Sequence, residues 1–300
     1  MSVEGSSVVA PGNYDGVHVG HRALVDAARE LAEDGERVTV LTFDPHPARV
    51  LAPLRAPELL TTVARRKALL LGAGADLVRV QRFDRAFASR APMAFIEELL
   101  RAELRATGVI VGADFRFGKD RAGGVQTLRE AGLRVRLVDA VERGGSVVSS
   151  TRIRACVRDG RVEEATRLLT RVHDVGGTVV EGFRRGRTIG FPTANLDAEP
   201  VLLPADGVYS VVARVGGELL KGVANLGVRP TVDAGRSVEA HFLDFDGDLY
   251  GQEIRLGFVT RLRDEMKFDG LPALKAQIAA DVVRARADFA AADERTWSWV

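Results

Sequence analysis

Two rhythms of apolar positions divide this chain. In the first half, compact apolar runs alternate with stretches where apolar residues recur at helical spacing. "SSVVA" (6–10) ends at Pro11-Gly12, and Leu24, Val25, Ala28 and Leu31 then share one helical face. "RVTVLTF" (37–43) is rich in β-branched residues and stops at Asp44-Pro45. "VARRKALLLGAG" (63–74) reads as a helix, and "DLVRV" (76–80) as the strand after it. Pro92 to Leu104 reads as another helix and "GVIVG" (108–112) as a buried strand; a further helix precedes "LRVRLV" (133–138). Strands alternating with helices predict an α/β unit, a parallel sheet with helices on both faces. Such sheets bind ligands at the carboxyl ends of their strands. "APGNYDGVHVGH", "TFDPHP" and "VGADFRFG" each follow a strand, so they are expected to converge.

The second half changes rhythm. "DVGGTVVEG" (174–182), "GVYSVVARVGGELLKGVANLG" (207–227), "SVEAHFLDF" (237–245) and "EIRLGFVTRL" (253–262) are β-like runs separated by turns. A helical pattern returns only near the end, where Leu271, Leu274, Ile278 and Val282 share a face. This predicts a small antiparallel β-barrel with a C-terminal helix. The domain boundary is expected after the helix "RVEEATRLLT", giving domains 1–172 and 173–300.

Composition adds limits. With 300 residues, 46% hydrophobic and 28% charged, the chain is globular and long enough for two cores. A net charge of +1 argues against a general nucleic-acid or anionic-membrane role. Any phosphate binding must come from local geometry. Lys67, Lys119, Lys221, Lys267 and Lys275 are the only lysines, so a lone arginine carries little weight as a signal. Cys156 is the single cysteine, which rules out an intrachain disulfide and suits a reducing cytoplasm. The N-terminus lacks a signal-peptide pattern, and no apolar run is long enough to span a bilayer.

Four stretches carry candidate chemistry. "GNYDGVHVGH" (12–21) places His18 and His21 on one side of a nascent helical turn. A metal site would need further ligands, with Asp15 and His46 as candidates. A turn with two capping histidines is a second reading. A phosphate cradle is the third: Gly12, Gly16 and Gly20 permit close backbone approach, and a helix start offers free N–H groups. "SSTRIR" (149–154) offers hydroxyls at a helix start, either for a phosphate or as an ordinary cap. "FPTAN" (191–195) supplies a hydroxyl at Thr193 and an amide oxygen at Asn195, or is a plain turn between strands. In "SVEAHFLDF", Val238, Ala240 and Phe242 point one way, while Glu239, His241 and Leu243 point the other. Glu239 is therefore either a general base or one acid on a solvated strand face.

Together these stretches resemble the prokaryotic bifunctional riboflavin kinase/FMN adenylyltransferases, also called FAD synthetases. "GNYDGVHVGH" is similar to the histidine signature of nucleotidylyltransferases, and "SSTRIR" to a second signature of this branch. "TFDPHP" and "VGADFRFG" agree with it. The second half carries "GRTIGFPTANL" (186–196), "GVANLGVRPT" (222–231), "VEAHFLDFDGDLYG" (238–251) and "LRDEMKFDG" (262–270). The resemblance implies a Rossmann-like adenylyltransferase domain followed by a barrel kinase domain. It implies an enzyme that phosphorylates riboflavin to FMN with ATP, releasing ADP. That enzyme then joins FMN to AMP from a second ATP, releasing pyrophosphate and FAD. His18 and His21 would serve the adenylyl transfer, with Gly12, Asn13, Asp15, Gly20, Ser149, Ser150, Thr151 and Arg154 around the nucleotide. His46, Asp114 and Phe115 would line the nucleotide and flavin pockets. Glu239 would be the kinase base. Thr193 and Asn195 would hold Mg2+ and phosphate, and Gly186, Gly190, Arg263 and Glu265 would contact ligand. Ala10-Pro11, Tyr14, "TRVH" (170–173) and Phe183 depart from the family pattern. The alternative class is a flavin- and nucleotide-binding sensor without turnover; a narrower rival is an enzyme with one active half.

Overall fold

The computed structural model describes residues 5–181, 191–228 and 236–298. The chain divides into two compact units, Met1–Ser150 and Thr151–Val300. In the first, β1 (Ser7–Pro11), α1 (Val19–Leu31), β2 (Arg37–Asp44), α2 (Pro47–Leu51), α3 (Val63–Gly72) and β3 (Leu77–Arg82) follow one another. Then come α4 (Arg85–Ala88), α5 (Pro92–Ala94), β4 (Ala106–Gly112), α6 (Val125–Glu130) and β5 (Arg134–Val138). The sheet order is β3-β2-β1-β4-β5, and every pair is parallel. β1 is buried along its whole length, as the apolar run "SSVVA" requires of a central strand. Strand order reverses between β1 and β4. The loops leaving their carboxyl ends therefore open onto one crevice.

The helix read over Pro92 to Leu104 is wound differently from expectation. After α5 the chain continues as a π-helix, Phe95–Glu103, with the Leu104 N–H donating to the Leu99 carbonyl at 3.0 Å. The wider turn buries Phe95, Ile96, Leu99 and Leu100 together against the sheet. A hairpin of β6 (Glu142–Arg143) and β7 (Ser146–Val147) was not legible in advance, since two-residue strands leave no periodicity.

α7 (Ser150–Arg158) and α8 (Val162–Leu169) precede the barrel strands β8 (His173–Val180), β9 (Ala194–Ala198), β10 (Gly207–Val215), β11 (Glu218–Val228), β12 (Arg236–Phe242) and β13 (Glu253–Arg263). The barrel closes in the order β10-β11-β12-β9-β8-β13 with antiparallel neighbours. Val238, Ala240 and Phe242 fill its interior with Val179, Leu226 and Phe258. On the outer face, α9 (Leu271–Ala291) covers Val208, Val212, Val223 and Val259 with Ala285 and Phe289.

Of the face read from the sequence, Leu274, Ile278 and Val282 are partly buried, and only Leu271 departs, being 59% exposed. Asp281 is buried beside that face. Arg263 supplies the reason: its guanidinium meets the Asp281 carboxylate at 2.9–3.1 Å, so the buried charge is paired. Among the described residues, no helix is long and apolar enough to cross a membrane.

Candidate functional site

The loop between β1 and α1 is built around its rings. Tyr14, Gly16 and Val17 have positive φ (53°, 83° and 42°), so the chain coils tightly before the helix. For Val17, β-branched and buried, this conformation costs about 1–2 kcal/mol. Such strain is typical of a loop shaped for a ligand. Tyr14 is fully buried, and its hydroxyl donates to the Ala10 carbonyl at 3.1 Å. Burial pushes its phenol far above the ordinary range, so it remains a neutral donor. The hydroxyl by which Tyr14 departs from the family pattern thus finds its acceptor in Ala10, within the Ala10-Pro11 pair that also departs.

His18 is the N-cap of α1. Its Nδ1 accepts from the His21 backbone N–H at 3.3 Å, which leaves the proton on Nε2. The two imidazoles stack with centroids 3.6 Å apart and an interplanar angle of 17°. A Cβ on Gly20 would lie 3.2 Å from the His18 ring, and one on Gly12 would lie 2.9 Å from the Tyr14 ring. These glycines make room for side chains that shape the loop.

Asp15 serves the loop from beneath. It is buried, and its carboxylate accepts from the backbone N–H groups of Leu60 and Thr61 and from the Thr61 hydroxyl at 3.0–3.2 Å. Arg66, equally buried, stands 4.0 Å away. Asp15→Ala would strand these donors and is expected to cost about 3 kcal/mol. A denaturant midpoint that stays unchanged in this variant would show that these bonds carry no net stability.

The Ser150 hydroxyl donates to the Asp15 carbonyl at 2.8 Å, which joins the two signatures across 135 positions. Ser149 lies beside it in chain order; Thr151 is exposed, and Arg154 is buried. Arg152 pairs with Glu164 at 3.2 Å.

Gly12, Asn13, Asp114 and Phe115 meet at a cleft of about 530 Å³. Six of the chain's 13 phenylalanines line it: 43, 83, 87, 95, 115 and 117. These rings pack on one another: Phe87, Phe95 and Phe117 are buried in the core of this unit, and Phe43, Phe83 and Phe115 pack against it. Arg90, Arg116 and Arg121 stand in its wall. His46 is not among the lining residues; it caps α2, with Nδ1 accepting from the Ala48 N–H at 3.1 Å. α2 in turn contributes Pro47 and Leu51 to the wall.

In the barrel, register assembles the second site. Glu239 lies opposite Asn195 of β9 and opposite Asn225 of β11, so the three side chains form one row on the outer face. Glu239, Asn225, Arg263 and Glu265 line a cavity of about 380 Å³, closed by Phe191, Met266, Phe268, Leu274 and Ile278. A neighbouring cavity of about 240 Å³ is lined by Pro192, Phe245, Asp246, Asp248 and Tyr250. Thr193 borders both. The Asn225 amide donates to Glu265 at 3.4 Å, and Arg263, held by Asp281, lies over the Phe268 ring at 5.6 Å. Gly186, Gly190 and Phe183 lie outside the described residues. Asn225 could have been found from "GVANLGVRPT", and Met266 and Phe268 from "LRDEMKFDG", whereas Asp281, Phe83, Phe87 and Phe95 lie in no quoted motif.

A family model described as FAD synthetase matches residues 1–152, and one described as riboflavin kinase matches residues 169–289. The chain is 38% identical to a bifunctional riboflavin kinase/FMN adenylyltransferase from Listeria monocytogenes, over 95% of this chain and 93% of that one. The same protein from Escherichia coli is 40% identical, over 94% and 92%. The fold is similar to a crystal structure of a macrolide-efflux protein from Streptococcus pneumoniae, with a TM-score of 0.88 and 32% identity over 95% of each chain.

Proposed function

Because the chain belongs to the bifunctional riboflavin kinase/FMN adenylyltransferase family, we propose how its residues divide two reactions between two sites. It is a riboflavin kinase and an FMN adenylyltransferase, making FMN and FAD. The boundary between the two functions is placed at 172/173; the FAD synthetase model ends before it, at residue 152, and the riboflavin kinase model begins four residues ahead of it, at residue 169.

In the barrel, the Glu239 carboxylate accepts the proton of riboflavin's ribityl 5′-hydroxyl as that oxygen attacks the γ-phosphorus of ATP. The flavin ring occupies the cavity closed by Phe268, Leu274 and Ile278, and the nucleotide occupies the one beside Phe245 and Tyr250. Thr193, at their shared edge, stands where the phosphoryl group crosses. The donor set fits magnesium: Thr193 and Asn195 offer neutral oxygens beside one carboxylate, and the phosphates of ATP bring the negative charge. When bound there, the ion neutralises charge on the transferring phosphoryl group. Arg263 and Glu265 shape the flavin side. The observation that carries this reading is the row Asn195–Glu239–Asn225 with Thr193 at the border of two cavities.

In the α/β unit, the FMN phosphate attacks the α-phosphorus of a second ATP, and pyrophosphate leaves. That phosphate is already nucleophilic at neutral pH, so no base is needed. His18 donates from Nε2 and His21 from its ring to the phosphates of ATP, at the positive end of α1. Gly12, Asn13, Gly20, Ser149 and Ser150 surround the nucleotide, while Asp15 and His46 hold loop and helix in place. The aromatic cleft with Asp114 and Phe115 takes the isoalloxazine of FMN. The enzyme works in the cytoplasm, on riboflavin, FMN and ATP.

Incubation of the protein with riboflavin and MgATP, followed by chromatography of the flavins, tests this. FMN and FAD should both accumulate. Riboflavin retained unconverted would instead favour a sensor, and FMN alone would leave the first unit inactive.

A further inference from the structure

We propose that His241 is a positioning residue of the kinase site, a latch that holds the Thr193 segment against the strand carrying Glu239. The β9–β12 ladder is short: Glu239 pairs with Asn195, and Ala240 with Ala194. Continued by one residue, the same register would set His241 opposite Thr193. The ladder stops there, and the residue before Thr193 is Pro192, which has no N–H to donate. The β9–β12 ladder as it stands does not secure the segment that presents Thr193 to both cavities.

The His241 side chain does so instead. Its Nδ1 lies 2.8 Å from the Pro192 carbonyl oxygen. A carbonyl only accepts, so Nδ1 carries a hydrogen and donates it. The Phe191 ring meets the imidazole edge-on, with centroids 5.4 Å apart and an interplanar angle of 86°. One imidazole thus grips the residues immediately before Thr193 by a polar and an aromatic contact. On the same strand face, two positions away, stands Glu239, so the latch ties the placement of the phosphate-side hydroxyl to that of the base. His241 lines the flavin-side cavity with Thr193 and Glu239, but its assigned work is on the loop.

This inference rests on the assignment of Thr193 to the phosphate side. The test uses the full chain and three variants. His241→Phe keeps the aromatic contact and loses the N–H; His241→Asn keeps a donor near the Nδ1 position; Thr193→Ala checks the underlying assignment. His241→Phe should raise KM for MgATP and lower the kinase kcat/KM for MgATP about tenfold. His241→Asn should recover most of that loss. FAD formation from supplied FMN and the melting midpoint should match the parent in both. A His241→Phe enzyme with unaltered KM for MgATP would overturn the latch, as would an Asn variant no better than Phe. A fall in melting midpoint that accounts for the loss would also overturn it. If Thr193→Ala keeps full kinase activity, the site assignment fails first; if it loses activity while His241→Phe does not, only the latch fails.

Discussion

His21→Ala is expected to abolish FAD formation while riboflavin phosphorylation continues at the parent rate. The imidazole sits at the start of α1, stacked on His18 at 3.6 Å, where in the proposed site the helix N-terminus and the ring donors would act on the same phosphates. Removing one preorganised donor to a developing charge costs about 10²–10³ in rate. The helix itself should survive, because its cap is the His18 side chain, which bonds the backbone N–H of residue 21 and not its ring. The measurement is the rate of FAD release from FMN and MgATP beside the rate of FMN release from riboflavin and MgATP. Equal loss of both in a folded variant would contradict a histidine confined to one site.

Glu239→Ala should give the reciprocal phenotype. The carboxylate lies between Asn195 and Asn225 in register and borders the cavity proposed for riboflavin. General-base catalysis of this kind contributes about 10²–10⁴, so FMN formation should fall by that factor. FAD formation from supplied FMN should be untouched. Glu239 points away from the barrel interior, where Val238, Ala240 and Phe242 are packed, so the substitution leaves the core intact. A Glu239→Ala protein that phosphorylates riboflavin at the parent rate would remove the base assignment.

Much of this architecture is legible in the chain because burial leaves a pattern. "SSVVA", "RVTVLTF" and "GVIVG" are compact, mostly apolar runs since their strands lie inside a parallel sheet. The alternation in "SVEAHF" survives because one face of β12 is packed and the other borders a cavity. The aromatic cleft was legible only in part, at Asp114, Phe115 and the segments "TFDPHP" and "VGADFRFG". Phe83, Phe87 and Phe95 lie in other segments and join it through the order of the sheet. Asp281 was hidden within an apolar helical stripe, where its pairing with Arg263 and the Gln277 amide explains its burial. The motif around His18 pointed to phosphate chemistry, but the roles of Asp15 and His46 in holding loop and helix needed the hydrogen bonds themselves.

The central claim is that one chain holds two independent sites, and mixing the two variants tests it most directly. His21→Ala and Glu239→Ala are each incubated alone with riboflavin and MgATP, then together. Alone, the first should stop at FMN and the second should leave riboflavin. Together they should make FAD, because FMN released by one protein serves the other. If the mixture makes no FAD although each variant retains its own partial activity, two independent sites are contradicted.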